Sequence, residues 1–220
     1  MSSKAYIAEF IATFALIFIG AGSILASSDI GLTGVAIAHG VVLMCMIYAT
    51  GHISGGHVNP AVTVGLWITD NIKTKKAIAY IISQLLGAAS AGYLLKYIFA
   101  NSATLGVPEV ASGIPIFTAI IIEAVLTFFL VFAVFATAVD KRAPKSVYGA
   151  VIGLTLTFDI LMGGPLTGAA MNPARAFGPA IAASFWSNHI VYWVGPIFGG
   201  SLAAIIYSKF LLEKKTHSEE

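Results

Sequence analysis

The chain reads as an all-α integral membrane protein: six transmembrane helices plus two re-entrant half-helices, arranged as an inverted repeat. Three observations predict this class. Of the 220 residues, 58% are hydrophobic and only 10% are charged, more apolar surface than a water-soluble domain of this size can hide. Six apolar segments approach the roughly 20 helical residues that a ~30 Å hydrocarbon core requires. Two three-residue words, Asn59-Pro60-Ala61 and Asn172-Pro173-Ala174, each follow a glycine-containing stretch and open an apolar run too short to cross.

Taken in order, the first span covers about 5–26 and ends at Ser27-Ser28-Asp29, and the second covers about 31–50. A loop over 51–58 leads into a half-helix over 61–69, closed by Asp70-Asn71. The third span runs from Lys73 to Phe99, followed by a Gly- and Pro-containing loop over 100–115. The fourth span is about 116–139, the charged connector 140–145, and the fifth span about 147–162. A second loop over 163–171 leads into a half-helix over 174–185; the sixth span, about 190–212, precedes a charged tail.

Each three-residue word reads as a helix start, because Asn is a good N-cap and Pro is favoured at the first helical position. At ~1.5 Å per residue the following runs reach about half-way across the bilayer. The halves repeat: Glu9 and Thr13 match Glu123 and Thr127, and Asn59 and Asn172 follow those glutamates at nearly equal distance. Three full spans per half turn the second half upside down, so the chain is expected to be one channel-like domain over 1–220 with inverted repeats at about 5–99 and 116–212. Lys4, Lys73, Lys75, Lys76, Lys141, Arg142, Lys145, Lys209, Lys214 and Lys215 fall on one side of this topology. The positive-inside rule makes that side cytoplasmic, with both termini inside. Lys96 lies near the opposite end of the third span, where it is expected to snorkel.

Composition also excludes some classes. The net charge of +2 and the absence of a basic run argue against a nucleic-acid partner, and the single cysteine, Cys45, rules out an internal disulfide. No cleavable leader is read at the N-terminus. Neither a metal-ligand pair of the H-E-x-x-H type nor a nucleophile motif is present, so no enzyme activity, metal or cofactor is expected.

The segments G-H-I-S-G-G-H-V-N-P-A-V-T (51–63) and G-A-A-M-N-P-A-R (168–175) resemble the two signature loops of the major intrinsic protein family, the aquaporins and aquaglyceroporins. The resemblance covers all six spans and both loops. It implies an aquaporin-like fold and a homotetramer with one pore per subunit. Two helix N-termini facing each other at the midplane carry partial positive charge and oppose cations and protons. Asn59 and Asn172 then aim amide donors into the lumen, and the carbonyls of Gly55, Gly56, His57, Gly168, Ala169 and Ala170 are expected to line the two half-pores. Glu9 and Glu123 are expected to brace the loops through backbone N–H groups. The resemblance further implies a selectivity filter of His39, Ile160, Ala169 and Arg175, most similar to that of plant tonoplast-type channels.

Those four residues set the expected permeants. Glycerol facilitators usually carry Asp directly after the motif arginine, where this chain has Ala176, so the glycerol mark is absent. The reading is a passive water channel that excludes protons and ions, with ammonia or urea as further candidate solutes. A glycerol-type facilitator and an ion-coupled secondary transporter are the alternatives. His52 is expected to hold the first loop, and Asp159, one residue before Ile160, has no assigned role. Short loops and termini suggest a microbial chain in the cell membrane.

Overall fold

The computed structural model describes residues 3–26 and 29–213; Ser27, Ser28 and the tail with Lys214 and Lys215 lie outside the described residues. Six helices are long and apolar enough to cross a membrane. They are α1 (Ser3–Ala26), α2 (Gly31–Ser54), α4 (Thr74–Ile98), α5 (Ile116–Val134), α6 (Tyr148–Thr167) and α8 (Val191–Ile206). Both α5 and α8 end in a π-helical turn, Phe135–Val139 and Tyr207–Leu211. The half-helices are α3 (Pro60–Ile68) and α7 (Pro173–Ala183). The architecture is therefore all-helical, as composition predicts.

Two helices run further than their sequence suggests. α2 continues through Gly51–Ser54 and α6 through Gly163–Thr167, including Pro165, before Gly55 and Gly168 end them in left-handed conformation. Glycine and proline mark these stretches as loops, but at bilayer depth a backbone group without a partner costs several kcal/mol. Helix persists until side chains can take over as partners. α7 is shorter than expected and ends at Ala183, because Ser184 turns left-handed with φ +56°.

Packing interlocks the halves. α1 packs on α4 and α5 on α8, while each half-helix leaves its own half: α3 packs on α8, and α7 on α4. Small residues make these approaches possible, as in other helix pairs within lipid. A Cβ at Gly178 would strike the backbone of Ala88, and one at Gly199 would strike that of Ala124. Lys96 lies in the last turn of α4. Its Nζ donates to the carbonyl of Ala182 (2.8 Å), satisfying the C-terminal end of α7.

At one end of the bundle the connector between α5 and α6 is tied to α8. The Arg142 guanidinium grips the Asp140 carboxylate (2.6–3.2 Å) and donates to the carbonyl of Leu211, while the Tyr207 hydroxyl donates to Asp140 (2.9 Å). Hydrogen bonds from the Arg142 side chain, and then from its backbone N–H, hold the Asp140 carboxyl well below the usual carboxylate range. The folded value lies below the unfolded one, so the contribution to stability is complete above about pH 3.9 and is lost as the pH falls further.

Two outcomes follow, both read as thermal midpoints in detergent. Gly199→Val places carbon into the α5 backbone and is expected to cost about 1–3 kcal/mol, the usual range for overpacking. The gap between the wild type and Asp140→Asn is expected to stay constant from about pH 5 to 8 and to shrink below about pH 4.

Candidate functional site

The two short helices begin as their sequence dictates. Asn59 and Asn172 are extended N-caps with Pro at the next position. Asn59 Oδ1 accepts from the N–H of Ala61 (2.8 Å), and Asn172 Oδ1 from those of Ala174 (2.9 Å) and Arg175 (3.3 Å). The caps are also exchanged. Asn59 Nδ2 donates to the carbonyl of Met171 (2.9 Å), and Asn172 Nδ2 to that of Val58 (3.0 Å). Each amide group has two N–H donors, so one on each Asn is left for the lumen.

Those two acceptor carbonyls are turned toward the opposite half by unusual backbone. Val58 and Met171 have φ of +55° and +50°. For a β-branched residue this conformation is a genuine outlier, held only where the surroundings over-determine it. The whole loop repeats at a spacing of 113 residues. Gly55 and Gly168, Gly56 and Ala169, and Val58 and Met171 all share positive φ.

A carboxylate anchors each loop. Glu9 accepts from the Ser54 hydroxyl (2.6 Å) and from the N–H groups of His57 (2.9 Å) and Val58 (2.8 Å). Glu123 accepts from the Thr167 hydroxyl (2.6 Å) and from the N–H groups of Ala170 (3.0 Å) and Met171 (2.7 Å). Tyr80 and Tyr192 donate to the carbonyls of Ser54 and Thr167, closing the last turns of α2 and α6 (2.7 and 2.8 Å). The halves differ at one point: Gln84 gives Glu9 a fourth donor (2.8 Å) and also reaches Thr63 (3.0 Å). Sequence reasoning missed Gln84, although a glutamine inside an apolar span is itself a signal. His52, expected to hold the first loop, is exposed at the end of α2. Ser54 and Tyr80 do that work.

The caps meet in a narrow cavity of about 20 Å³ whose walls include His39, His57, Asn59, Ala169, Ala170, Asn172 and Arg175. A water needs roughly 10–15 Å³, so this narrow space has room for about one water. Toward Val139 and Tyr148 it opens into a vestibule of about 290 Å³. Gly56 lines both spaces and Gly55 the vestibule, whereas Gly168 packs against Pro108. Ile160 is buried on α6. Asp159 beside it is buried, with Oδ2 lacking a partner among the described residues.

Arg175 is buried, and its Nη1 donates to the carbonyl of Gly106 (2.7 Å) in the loop between α4 and α5. Its Nε has no partner among the described residues. Gly106 and Leu105 hold that carbonyl in place with φ of +71° and +50°. Nothing in the loop's sequence announces this contact. The spacing of 113 also shows why the two ends differ. The counterparts of His39, Ile160, Ala169 and Arg175 are Ile152, Ile47, Gly56 and Val62, and all four line the same cavity. The lumen is polar at the Arg175 end and apolar at the corresponding level of the other half.

Comparison with known proteins agrees with this architecture. A family model described as major intrinsic protein matches residues 1–207. The chain is 42% identical to aquaporin TIP4-4 of Zea mays over 97% of its length and 89% of that protein's. It is also 42% identical to aquaporin TIP2-1 of Arabidopsis thaliana, over 98% and 90%. In fold it is similar to the solved aquaglyceroporin from Plasmodium falciparum, with a TM-score of 0.83, 24% identity, and coverage of 94% of this chain and 96% of that one.

Removing a loop anchor is expected to destabilise the protein in proportion to the donors left unpaired. Glu9→Ala and Glu123→Ala are each expected to lower stability by about 3 kcal/mol or more, and Gln84→Ala by about 1.5 kcal/mol. Thermal midpoints of the purified variants test the order; equal losses for Gln84→Ala and Glu9→Ala would contradict it.

Proposed function

The chain belongs to the major intrinsic protein family, and from that membership we infer that it is a passive water channel in a membrane it crosses several times. It is a channel, not an enzyme. The observation that carries the reading is the constriction between the two Asn caps. It has room for about one water, and two helix N-termini point at it from opposite sides.

The chemistry follows from that arrangement. Each N-terminus presents about half a positive charge, which opposes a cation. A water between Asn59 and Asn172 accepts from the free amide N–H of each, so its own hydrogens point away along the lumen. Neighbouring waters then cannot relay a proton through it. Arg175 adds a full positive charge and a free Nε donor beside His39 and Ala169. We propose that these residues, with Ile160, form the filter. The small Ala169 and apolar Ile160 support passage of ammonia or urea in addition to water.

The same proposal extends to assembly and placement. Residues 5–99 and 116–212 are inverted repeats of one channel domain. Four copies associate, each with its own lumen. The Lys- and Arg-bearing connections face the cytoplasm, with both termini inside, and the bilayer is the cell membrane.

Stopped-flow light scattering on proteoliposomes tests the function. Fast, non-saturating water flux is expected, with little glycerol flux. Arg175→Ala is expected to keep water flux and raise urea or ammonia flux several-fold. Saturable, ion-coupled flux, or none above empty liposomes with inserted protein, would overturn the channel reading.

A further inference from the structure

His39 occupies one wall of the constriction, and its ring is fixed at two edges. Nδ1 lies 2.9 Å from the carbonyl of Val35 one turn back along α2. A carbonyl only accepts, so Nδ1 carries the proton and donates. In the neutral ring that leaves Nε2 as the acceptor. The opposite edge of the ring rests on α1, over the bare Cα of Gly20.

The fit against Gly20 is close. A Cβ built there would lie 2.5 Å from both Cδ2 and Nε2 of His39 and 3.0 Å from Cε1, and these ring atoms are the three nearest to it. Carbon contacts are comfortable at about 3.5–4.0 Å. The ring edge would therefore have to retreat by about 1 Å. The Val35 bond restrains sliding along α2, and the ring's other side faces the cavity. Retreat is into the lumen.

The second half solves the same packing problem differently. Using the spacings of the two glutamates and the two Asn residues, the counterpart of Gly20 on α5 is Val134, and that of His39 on α6 is Ile152. Both line the cavity. Two medium aliphatic side chains there replace the pairing of an empty position with an aromatic ring. A ring on α2 is admitted only because α1 contributes nothing opposite it.

We propose that Gly20 is a positioning residue for the filter: by lacking a side chain it holds the His39 imidazole back against α1 and so sets the width of the constriction. The proposal rests on the channel reading above only for its flux readout. It assigns α1 a part in selectivity through a position without a side chain, one turn from Leu16, which lines the same cavity.

The test is a double-mutant cycle with Gly20→Ala, His39→Ala and the combined variant in proteoliposomes. Thermal midpoints serve as the fold control, and the ring position is read from a crystal structure of Gly20→Ala. Gly20→Ala is expected to lower water permeability about tenfold and to raise the ratio of water to urea flux. The combined variant is expected to return to the permeability of His39→Ala, because removing the ring removes the collision. If Gly20→Ala does not insert but the combined variant does, the collision is again with His39, and the proposal stands.

Wild-type permeability in Gly20→Ala would overturn it. So would an equal loss in both His39 backgrounds, which would make Gly20 a helix-packing residue, or failure of both variants to insert. A wild type that passes no water would instead sink the channel reading. Displacement of the His39 ring in the Gly20→Ala structure then decides the positioning role, and an unmoved ring overturns it.

Discussion

Two buried carboxylates make the rest of this structure possible. A backbone that leaves helical geometry in the middle of a bilayer exposes N–H groups that lipid cannot satisfy. Glu9 and Glu123 each take two such N–H groups from the loop that precedes a half-helix and a hydroxyl from the last residue of the helix before it. Burying a carboxylate is itself unfavourable without donors. Loop and carboxylate therefore each supply what the other lacks, and neither is stable there alone. With the loops held, the half-helices start at the right depth, and the caps can meet.

The site built on those loops combines symmetry with one deliberate break. Backbone conformation, caps, anchors and the tyrosine locks recur at nearly constant spacing in both halves. The lumen side chains do not. Arg175, His39 and Ala169 stand at one end, and Val62, Ile152 and Gly56 at the equivalent level of the other. Repeated backbone supplies the shape and the opposed helix ends. The unrepeated side chains make the two ends of the lumen chemically different.

Much of this was legible in the residues. Asn-Pro-Ala after a glycine-containing stretch carries its own cap chemistry, so the half-helix starts, Asn59 and Asn172, were readable to the residue. The six spans followed from apolar length. Helix ends were less readable: Gly51 and Pro165 look like loop residues, but the demand for paired backbone in lipid overrides their local preference. The carbonyl of Gly106 that meets Arg175, and the fit of His39 over Gly20, had no local signal. Both are set by elements distant in the chain. The acceptor of Lys96, at Ala182, likewise comes from the other half.

The exchanged caps bear on how such a chain is made. Asn59 finds its acceptor at Met171, 112 residues later, and α3 rests chiefly on α8 of the other half. During synthesis the first half enters the membrane with an amide donor and a helix face for which nothing yet exists to pair. Contacts of such long sequence separation form late, because closing a long loop precedes any reward from the contact. Domains ordinarily fold as they emerge, N-terminal part first. Here a helix of the second half, α8, completes the packing of α3, and until it arrives the first half is a set of threaded spans without a lumen.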